Sequence, residues 1–211
     1  EAIKYILTKT GLFTSTVAEA GGFIRSRGDI EVPDIQLHFA PGMIVDHGRV
    51  FQWGHGLSCH TCLLRPKSRG EVTLNSADPM DDPKIDPKFL SDPEDMKVMV
   101  DGYKKMMKIL NEDSFSNYTS KHVHRPVDLG DDEDIEQAIR EEADTVYHPV
   151  GTCMMGHDEM AVVNDKLKVH KMDGLRVIDA SIMPTLVGGN TNAPTIMIGE
   201  KASDIILNHW A

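Results

Sequence analysis

Two loop segments hold side chains whose types could carry out proton chemistry. The segment "YHPVGTCMMG" (147–156) contains His148, and the segment "GGNTNAPT" (188–195) contains Asn190. No G-x-S-x-G motif accompanies His148, which argues against a serine hydrolase, and no His or Cys lies three or four residues away, which argues against zinc. A loop histidine facing loop asparagines suits removal of a hydroxyl proton while an amide holds the oxygen. A structural histidine is the alternative that the residues alone leave open.

The run "CHTC" (59–62) is a second candidate for chemistry. A C-x-x-C pair serves some redox and metal sites, but a redox pair usually opens a helix whose dipole lowers a thiol pKa. Here the pair enters a strand-like apolar stretch, and no second pair follows at zinc spacing. We therefore predict a strand without a metal. The basic run "LLRPKSRG" (63–70) indicates a solvated turn.

Composition and charge exclude several classes of protein. The 211 residues carry a net charge of −11, which argues against general binding of nucleic acid or anionic membranes. No window of eighteen consecutive apolar residues occurs, so the sequence predicts no transmembrane helix. Three cysteines form no disulfide pattern and indicate a reducing compartment. We expect a cytoplasmic protein, or one at the periphery of a membrane.

Short apolar runs bounded by glycine and proline predict an antiparallel sheet. We expect strands within 21–28, 34–44, 56–66 and 70–76, with the last two joined by a short turn. Repeated Asp-Pro pairs within 78–96 predict an ordered loop, because each proline removes a backbone donor and biases the residue before it away from helix.

Apolar residues at helical spacing predict three helices before the C-terminal region. They lie at 1–10, from Pro93 to about residue 111, and at 128–143, the last capped by Asp131 or Asp132. The methionines of the second helix are typical of core filling.

The last fifty residues change character. The apolar run at 174–181 predicts a buried strand, 182–195 a turn-rich loop and 195–207 an amphipathic helix, with Pro194 in its first turn. A loop that leads into a helix N-terminus is suited to binding an anion or the negative end of a dipole. The predicted fold class is α+β: an antiparallel sheet with flanking helices, plus a C-terminal strand–loop–helix that belongs to an FAD-binding α/β domain.

Three long blocks resemble the C-terminal part of the glucose–methanol–choline oxidoreductases. They are "YHPVGTCMMG", "VVNDKLKVHKMDGLRVIDASIMP" and "GNTNAPTIMIGEKASDII". The shorter blocks "EAGGFIRS", "DIQLHFAP" and "VDHGRV" extend the likeness over nearly the whole chain. Within the family the chain is most similar to choline dehydrogenases and related alcohol dehydrogenases. The resemblance implies FAD as cofactor and oxidation of a primary alcohol to its aldehyde by hydride transfer to the flavin.

The resemblance also assigns roles to individual residues. His148 matches the histidine that takes the substrate hydroxyl proton, and Asn190 matches the second active-site position, which is His or Asn in the family. Asp179 and Ala180 match the segment beside the ribityl-diphosphate part of FAD, and the start of the last helix matches the part near the isoalloxazine ring. The cofactor-binding candidates are Tyr147, Asp179, Ala180, Asn190, Thr191 and Asn192.

One family feature is missing from these residues. The G-x-G-x-x-G fingerprint of an N-terminal βαβ unit is absent. We therefore expect a substrate-binding domain over 1–160 and, over 161–211, a segment that completes an FAD domain lying elsewhere. By itself the chain is expected to be an inactive fragment, with that FAD domain as its partner. The strand at 175–178 would then expose an edge that pairs with another chain, is disordered or packs differently. A non-catalytic interaction module on the same scaffold is the alternative.

The substrate prediction concerns two residues. Choline carries a quaternary ammonium group, which requires a carboxylate or aromatic side chains. Glu19 is the candidate carboxylate, and Trp53 lies in a loop that could line a pocket. A surface ion pair of Glu19 with Arg25 or Arg27 is the structural alternative, and a general aliphatic alcohol is the alternative substrate. The electron acceptor is not predicted.

Overall fold

A computed structural model describes residues 2–50, 52–119 and 122–210. The chain divides into two compact units. The first unit comprises Glu1–Leu63 and Met96–Ala143, and the second comprises Leu64–Asp95 and Asp144–Ala211. The domain boundary predicted between residues 160 and 161 stays a prediction.

The first unit contains a three-stranded antiparallel sheet. Strands β1 (Ala20–Ile24), β2 (Ile35–Ala40) and β3 (Ser58–Leu63) lie in that order, and β2 is central. Ile35 is fully buried and Leu37 nearly so, because both point from the same face of the sheet into a core shared with the helix that follows. Ile35 and Leu37 thus point inward as the alternation predicts, whereas Gln36 and Ala40 are buried as well and Phe39 is only half-buried.

Three helices accompany the first unit. Helix α1 covers Ala2–Thr8, α2 covers Pro93–Leu110 and α3 covers Asp132–Glu142. The side chain of Asp131 accepts a hydrogen bond from the Glu133 amide and caps α3, as predicted. The buried side chains of α2 that pack on the sheet are Val98, Met106 and Met107.

The second unit is built around the C-terminal helix. Helix α4 covers Asn192–Trp210, and its residues Ile198 and Ala202 are buried against Val163 and Ile182. A hairpin of β4 (Glu71–Thr73) and β5 (Lys84–Asp86) belongs to the same unit. Helix α4 begins three residues before the predicted range, at residue 192, and Pro194 lies in its first turn as predicted, where its missing N–H costs no helical hydrogen bond.

Two strand predictions need correction. The strand within 70–76 pairs with β5 and not with β3, so the Asp-Pro region holds a strand that we did not predict. The segment 174–181 is not a strand: it forms one bridge, between Arg176 and Lys168, and a 3₁₀ turn at Ala180–Ile182. An extended segment becomes a strand only where a neighbouring segment continues the ladder of backbone hydrogen bonds. Among the described residues, the pairing of this segment with Lys168 does not extend beyond a single bridge. The apolar side chains of Val177 and Ile178 pack on the core of the second unit instead.

The fold class is confirmed, since antiparallel sheets are combined with helices. Among the described residues, no helix has the length and apolar character needed to cross a membrane.

Candidate active site

The His148 loop is held by backbone hydrogen bonds to the segment before the last helix. The amide of Cys153 donates to the Ser181 carbonyl at 3.0 Å, and the amide of Met155 donates to the Ile182 carbonyl at 2.8 Å. These bonds fix the end of the loop against the hydrophobic core of the second unit, which includes Ile182. His148 therefore stands on an anchored loop.

The backbone on both sides of His148 adopts uncommon conformations. Tyr147 has a φ of 63° and Gly151 a φ of 90°. A positive φ is rare for a bulky aromatic residue and costs on the order of 1–3 kcal/mol. Such strain concentrates at functional sites, where the surrounding structure enforces it. Here the positive φ of Tyr147 turns the chain immediately before the half-buried His148.

Asp179 and Ala180 lie in the segment that supports the loop. The exposed Asp179 carboxylate accepts hydrogen bonds from the Ser181 amide at 2.8 Å and from the Ser181 hydroxyl at 2.5 Å, which caps the 3₁₀ turn. Ala180 is half-buried on the apolar core. The local hydrogen bonds of Asp179 explain how its position is fixed.

Asn190 and Thr191 stand at the entry to α4. The Thr191 carbonyl accepts from the Thr195 amide at 3.0 Å and from the Thr195 hydroxyl at 2.6 Å, so Thr191 is anchored to the first helical turn. Asn190 and Asn192 are exposed, whereas Thr191 is buried.

The two loops meet at the imidazole ring. The Asn190 amide nitrogen lies 2.8 Å from His148 Nε2, and the Thr191 hydroxyl oxygen lies 2.8 Å from His148 Nδ1. Consecutive residues thus contact the two ring nitrogens. A neutral imidazole has one donor and one acceptor nitrogen, so this arrangement can combine a base with a hydrogen-bond donor on one side of the ring.

A sequence model of the family described as GMC oxidoreductase matches residues 66–199, more than half of the chain. The chain belongs to the GMC oxidoreductase family. Its relatives include an alcohol dehydrogenase [acceptor] of Pseudomonas putida, 48% identical over 96% of this chain and 37% of the relative. An oxygen-dependent choline dehydrogenase of Cronobacter sakazakii is 41% identical over 96% of this chain and 36% of the relative.

Solved GMC structures share the fold. The formate oxidase of Aspergillus oryzae superposes with a TM-score of 0.89 at 26% identity, over 99% of this chain and 41% of that one. That structure is of a variant in which modification of the FAD was followed, and such GMC neighbours are FAD-dependent. The chain spans little more than a third of the length of the curated relatives that it matches.

The substrate candidates of this GMC chain lie in the first unit. Glu19 is exposed and directly precedes β1, and Trp53 is 90% exposed in the loop before β3. Arg27 pairs with Asp29 at 3.6 Å, and Arg25 donates to the Ile30 carbonyl at 3.1 Å. The roles assigned to Glu19 and Trp53 stay predictions.

The C-x-x-C pair lies on β3, as predicted. Burial raises the pKa of the Cys59 thiol to about 11 and also raises the pKa of the Cys62 thiol. Both changes disfavour the nucleophilic thiolate. Among the residues that the structure describes, no three His, Cys, Asp or Glu side chains form a group suited to a metal ion.

Sequence reasoning missed two contacts around the site. Thr191 was assigned to the cofactor, but its hydroxyl contacts His148. Arg65, assigned to a solvated turn, lies against the glycine loop, since a Cβ built on Gly188 would stand 2.6 Å from its Nη2. The adjacency of Thr191 to Asn190 was the one available indication, and no local pattern links residue 65 to residue 188.

Proposed function

We propose that the whole protein oxidises a primary alcohol to its aldehyde with FAD, and that this chain supplies the catalytic pair His148 and Asn190. The observation that carries the proposal is the 2.8 Å separation of the Asn190 amide nitrogen and His148 Nε2. Both the alcohol and the choline dehydrogenase relatives support alcohol oxidation in general.

Each member of the pair has a distinct task. His148 Nε2 accepts the proton of the substrate hydroxyl, which breaks the O–H bond and forms an N–H bond. The Asn190 amide donates a hydrogen bond to the same oxygen, which gains negative charge as its proton leaves. The substrate oxygen would take a place within hydrogen-bonding distance of both groups, and the anchored loops hold these groups ready.

The exposed groups around the pair fit a flavin. The first turn of a helix presents amide groups without partners in the helix, together with the positive end of its dipole, and Asn190 and Asn192 add exposed amides at the start of α4. These groups would stabilise negative charge on a reduced ring. When bound, FAD supplies the acceptor for the hydride that leaves the carbinol carbon. The residues proposed to hold it are Tyr147, Asp179, Ala180, Asn190, Thr191 through its backbone, and Asn192.

The substitution His148→Ala in the complete, flavin-loaded enzyme tests the proposal. We expect the rate of anaerobic flavin reduction by substrate to fall by ~10²–10⁴, because a positioned base is lost. His170→Ala is the matched control, since Nε2 of this partly buried histidine contacts a backbone carbonyl in the same unit, that of Gly156, at 3.1 Å. A near-normal rate of flavin reduction for His148→Ala would contradict the assignment of His148 as the base.

We further propose that a choline-like cation is the substrate, with Glu19 as its carboxylate partner and Trp53 as an aromatic neighbour. The support is the exposure of both side chains and the likeness to choline dehydrogenases. Glu19→Gln should raise KM for choline much more than KM for the uncharged isostere in which a tert-butyl group replaces trimethylammonium. Glu31→Gln, an exposed carboxylate of the same unit, is the control. Equal changes in KM for both alcohols would show that Glu19 has a structural role and does not bind the cation.

A general aliphatic alcohol is the second candidate substrate. The higher identity to the Pseudomonas putida alcohol dehydrogenase, 48% against 41%, favours it. The ratio of kcat/KM for choline and for an unbranched primary alcohol separates the two candidates. A preference for the unbranched alcohol that survives Glu19→Gln would decide for the aliphatic substrate.

We propose that the glycine-rich part of the FAD site lies outside these residues. The absence of a G-x-G-x-x-G motif from the 211 residues supports this. The 211 residues alone should then elute from gel filtration without flavin absorbance, whereas the complete enzyme retains it. A cytoplasmic location, or one at the cytoplasmic face of a membrane, is proposed from the free cysteines Cys59, Cys62 and Cys153.

A further inference from the structure

The Nδ1 side of His148 faces a hydroxyl group that the proposed reaction does not use. Thr191 Oγ1 lies 2.8 Å from Nδ1, while the Asn190 amide nitrogen lies 2.8 Å from Nε2 on the other side of the ring. The Thr191 side chain is therefore directed away from the substrate position and toward the base. Only 7% of Thr191 is exposed, so water competes poorly for this contact.

Thr191 is held by the helix that it precedes. Its carbonyl accepts two hydrogen bonds from Thr195, one from the amide and one from the hydroxyl. Further along the helix, Ile198 and Ala202 are buried in the core of the second unit. The hydroxyl oxygen is thus presented from a fixed backbone, which makes its contact with the ring specific.

The two contacts select the same tautomer of the imidazole. With the amide nitrogen of Asn190 toward the ring, Nε2 must accept, and the ring proton then resides on Nδ1. Nδ1–H can donate to Thr191 Oγ1, because a hydroxyl oxygen has two lone pairs. The opposite tautomer would place two N–H groups against each other at Nε2 and would leave no lone pair there for a substrate proton.

We propose that Thr191 is a positioning residue of the His148 base: its hydroxyl oxygen accepts a hydrogen bond from Nδ1–H, orients the ring and keeps Nε2 unprotonated, so that the Nε2 lone pair can pass from the Asn190 amide to the substrate hydroxyl when the alcohol binds. The inference rests on the proposed alcohol oxidation. During the reaction the hydroxyl proton moves to Nε2, while FAD, when bound, would supply the acceptor for the hydride of the carbinol carbon. The imidazolium that forms strengthens the Nδ1–H bond to Thr191, because hydrogen bonds from charged donors are stronger.

Flavin reduction in the complete enzyme tests this role with two substitutions at one position. Thr191→Val keeps the size and branching of the side chain but removes the acceptor, whereas Thr191→Ser keeps the acceptor. We expect Thr191→Val to lower the limiting rate of anaerobic flavin reduction by roughly 10–100-fold, by analogy with the loss seen when a metal-binding histidine loses the hydrogen-bond partner of its second nitrogen. The Kd of the alcohol should stay unchanged, and Thr191→Ser should recover most of the rate.

The matched control is Thr185→Val, which removes an exposed hydroxyl from the loop that leads into α4 and leaves Thr191 and its contacts in place. Its rate should stay close to that of the parent. A parental rate for Thr191→Val, or an equal loss in Thr191→Ser, would overturn the inference. If Thr191→Val loses its flavin, the comparison of Thr191→Ala with Thr191→Ser decides in the same way. A parental rate for His148→Ala would instead reject the proposed function itself.

Discussion

Two regions contain residues of the types that catalysis uses, and the structure treats them differently. The loops around His148 come together so that the imidazole contacts an amide and a hydroxyl from residues more than forty positions away. The C-x-x-C region lies on β3, where Cys59 packs on the apolar core of the first unit. Burial raises the pKa of both thiols of that region.

The difference shows that residue type alone does not identify a site. A thiol on the face of a sheet that packs on a helix loses its reactivity through desolvation. A histidine gains a role when polar partners from other loops engage both of its nitrogens. Substitutions that disturb one of the two regions and leave the other intact test this difference.

Among such substitutions, Gly151→Ala should have the largest effect. Gly151 has a φ of 90°, and an added Cβ would lie 3.4 Å from the Met183 carbonyl oxygen. An L residue with this φ is strained by about 1–3 kcal/mol, and relaxation of the loop would displace His148. A displacement of about 1 Å can cost on the order of 10²-fold in rate.

The measurement for Gly151→Ala is the limiting rate of flavin reduction, with flavin absorbance as the check on folding. A variant with bound flavin and an unchanged rate would show that the loop tolerates the strain without moving His148.

Gly102→Ala should affect the stability of the first unit. Gly102 lies in α2, and an added Cβ would stand 2.8 Å from Thr61 Cγ2 and 2.9 Å from Ile35 Cδ1. Overpacking against the fully buried Ile35 costs roughly 1–3 kcal/mol and exceeds the ~1 kcal/mol that alanine adds to helix stability. The Tm of the complete enzyme should fall, and KM and kcat at low temperature should be retained. A raised Tm would mean that Thr61 and Ile35 shift to accommodate the added methyl group at little cost in stability.

The smallest effect is expected for Cys59 and is confined to alkaline pH. Burial raises the pKa of this thiol from 9.0 to about 11. The unfolded chain loses the thiol proton first, so the stabilisation is fully present below about pH 9 and is lost between about pH 9 and 11. Cys59→Ala should therefore reduce the fall in Tm over that range. An identical alkaline fall in both proteins would exclude a contribution from Cys59.

Several elements could be predicted because short-range chemistry determines them. Helix α2 begins at Pro93 and α3 is capped by Asp131, since proline at the first position and an aspartate cap act within one turn. The alternation along β2 likewise predicted that Ile35 and Leu37 point into the core, although it did not predict the burial of Gln36 and Ala40. The catalytic candidates came from long family motifs rather than from local patterns.

The remaining features depend on partners distant in sequence. Strand β5 lies among Asp-Pro pairs that disfavour regular structure, and it forms because β4 supplies a ladder on the other side of the loop. The apolar run at 174–181 has the composition of a strand, but its residues pack on a core instead of pairing. The Thr191 contact with His148 joins residues 43 positions apart, which periodicity cannot reveal.

A double-mutant cycle on the rate of anaerobic flavin reduction tests most directly the central claim that His148 and Asn190 act on one substrate oxygen. The complete enzyme is compared with His148→Ala, Asn190→Ala and the double variant. The single substitutions should lower the rate by ~10²–10⁴ and by about 10²–10³. Residues that act as a unit are strongly non-additive, so the double variant should be about as slow as the slower single variant. A double variant slowed by the product of the two single effects would contradict the account.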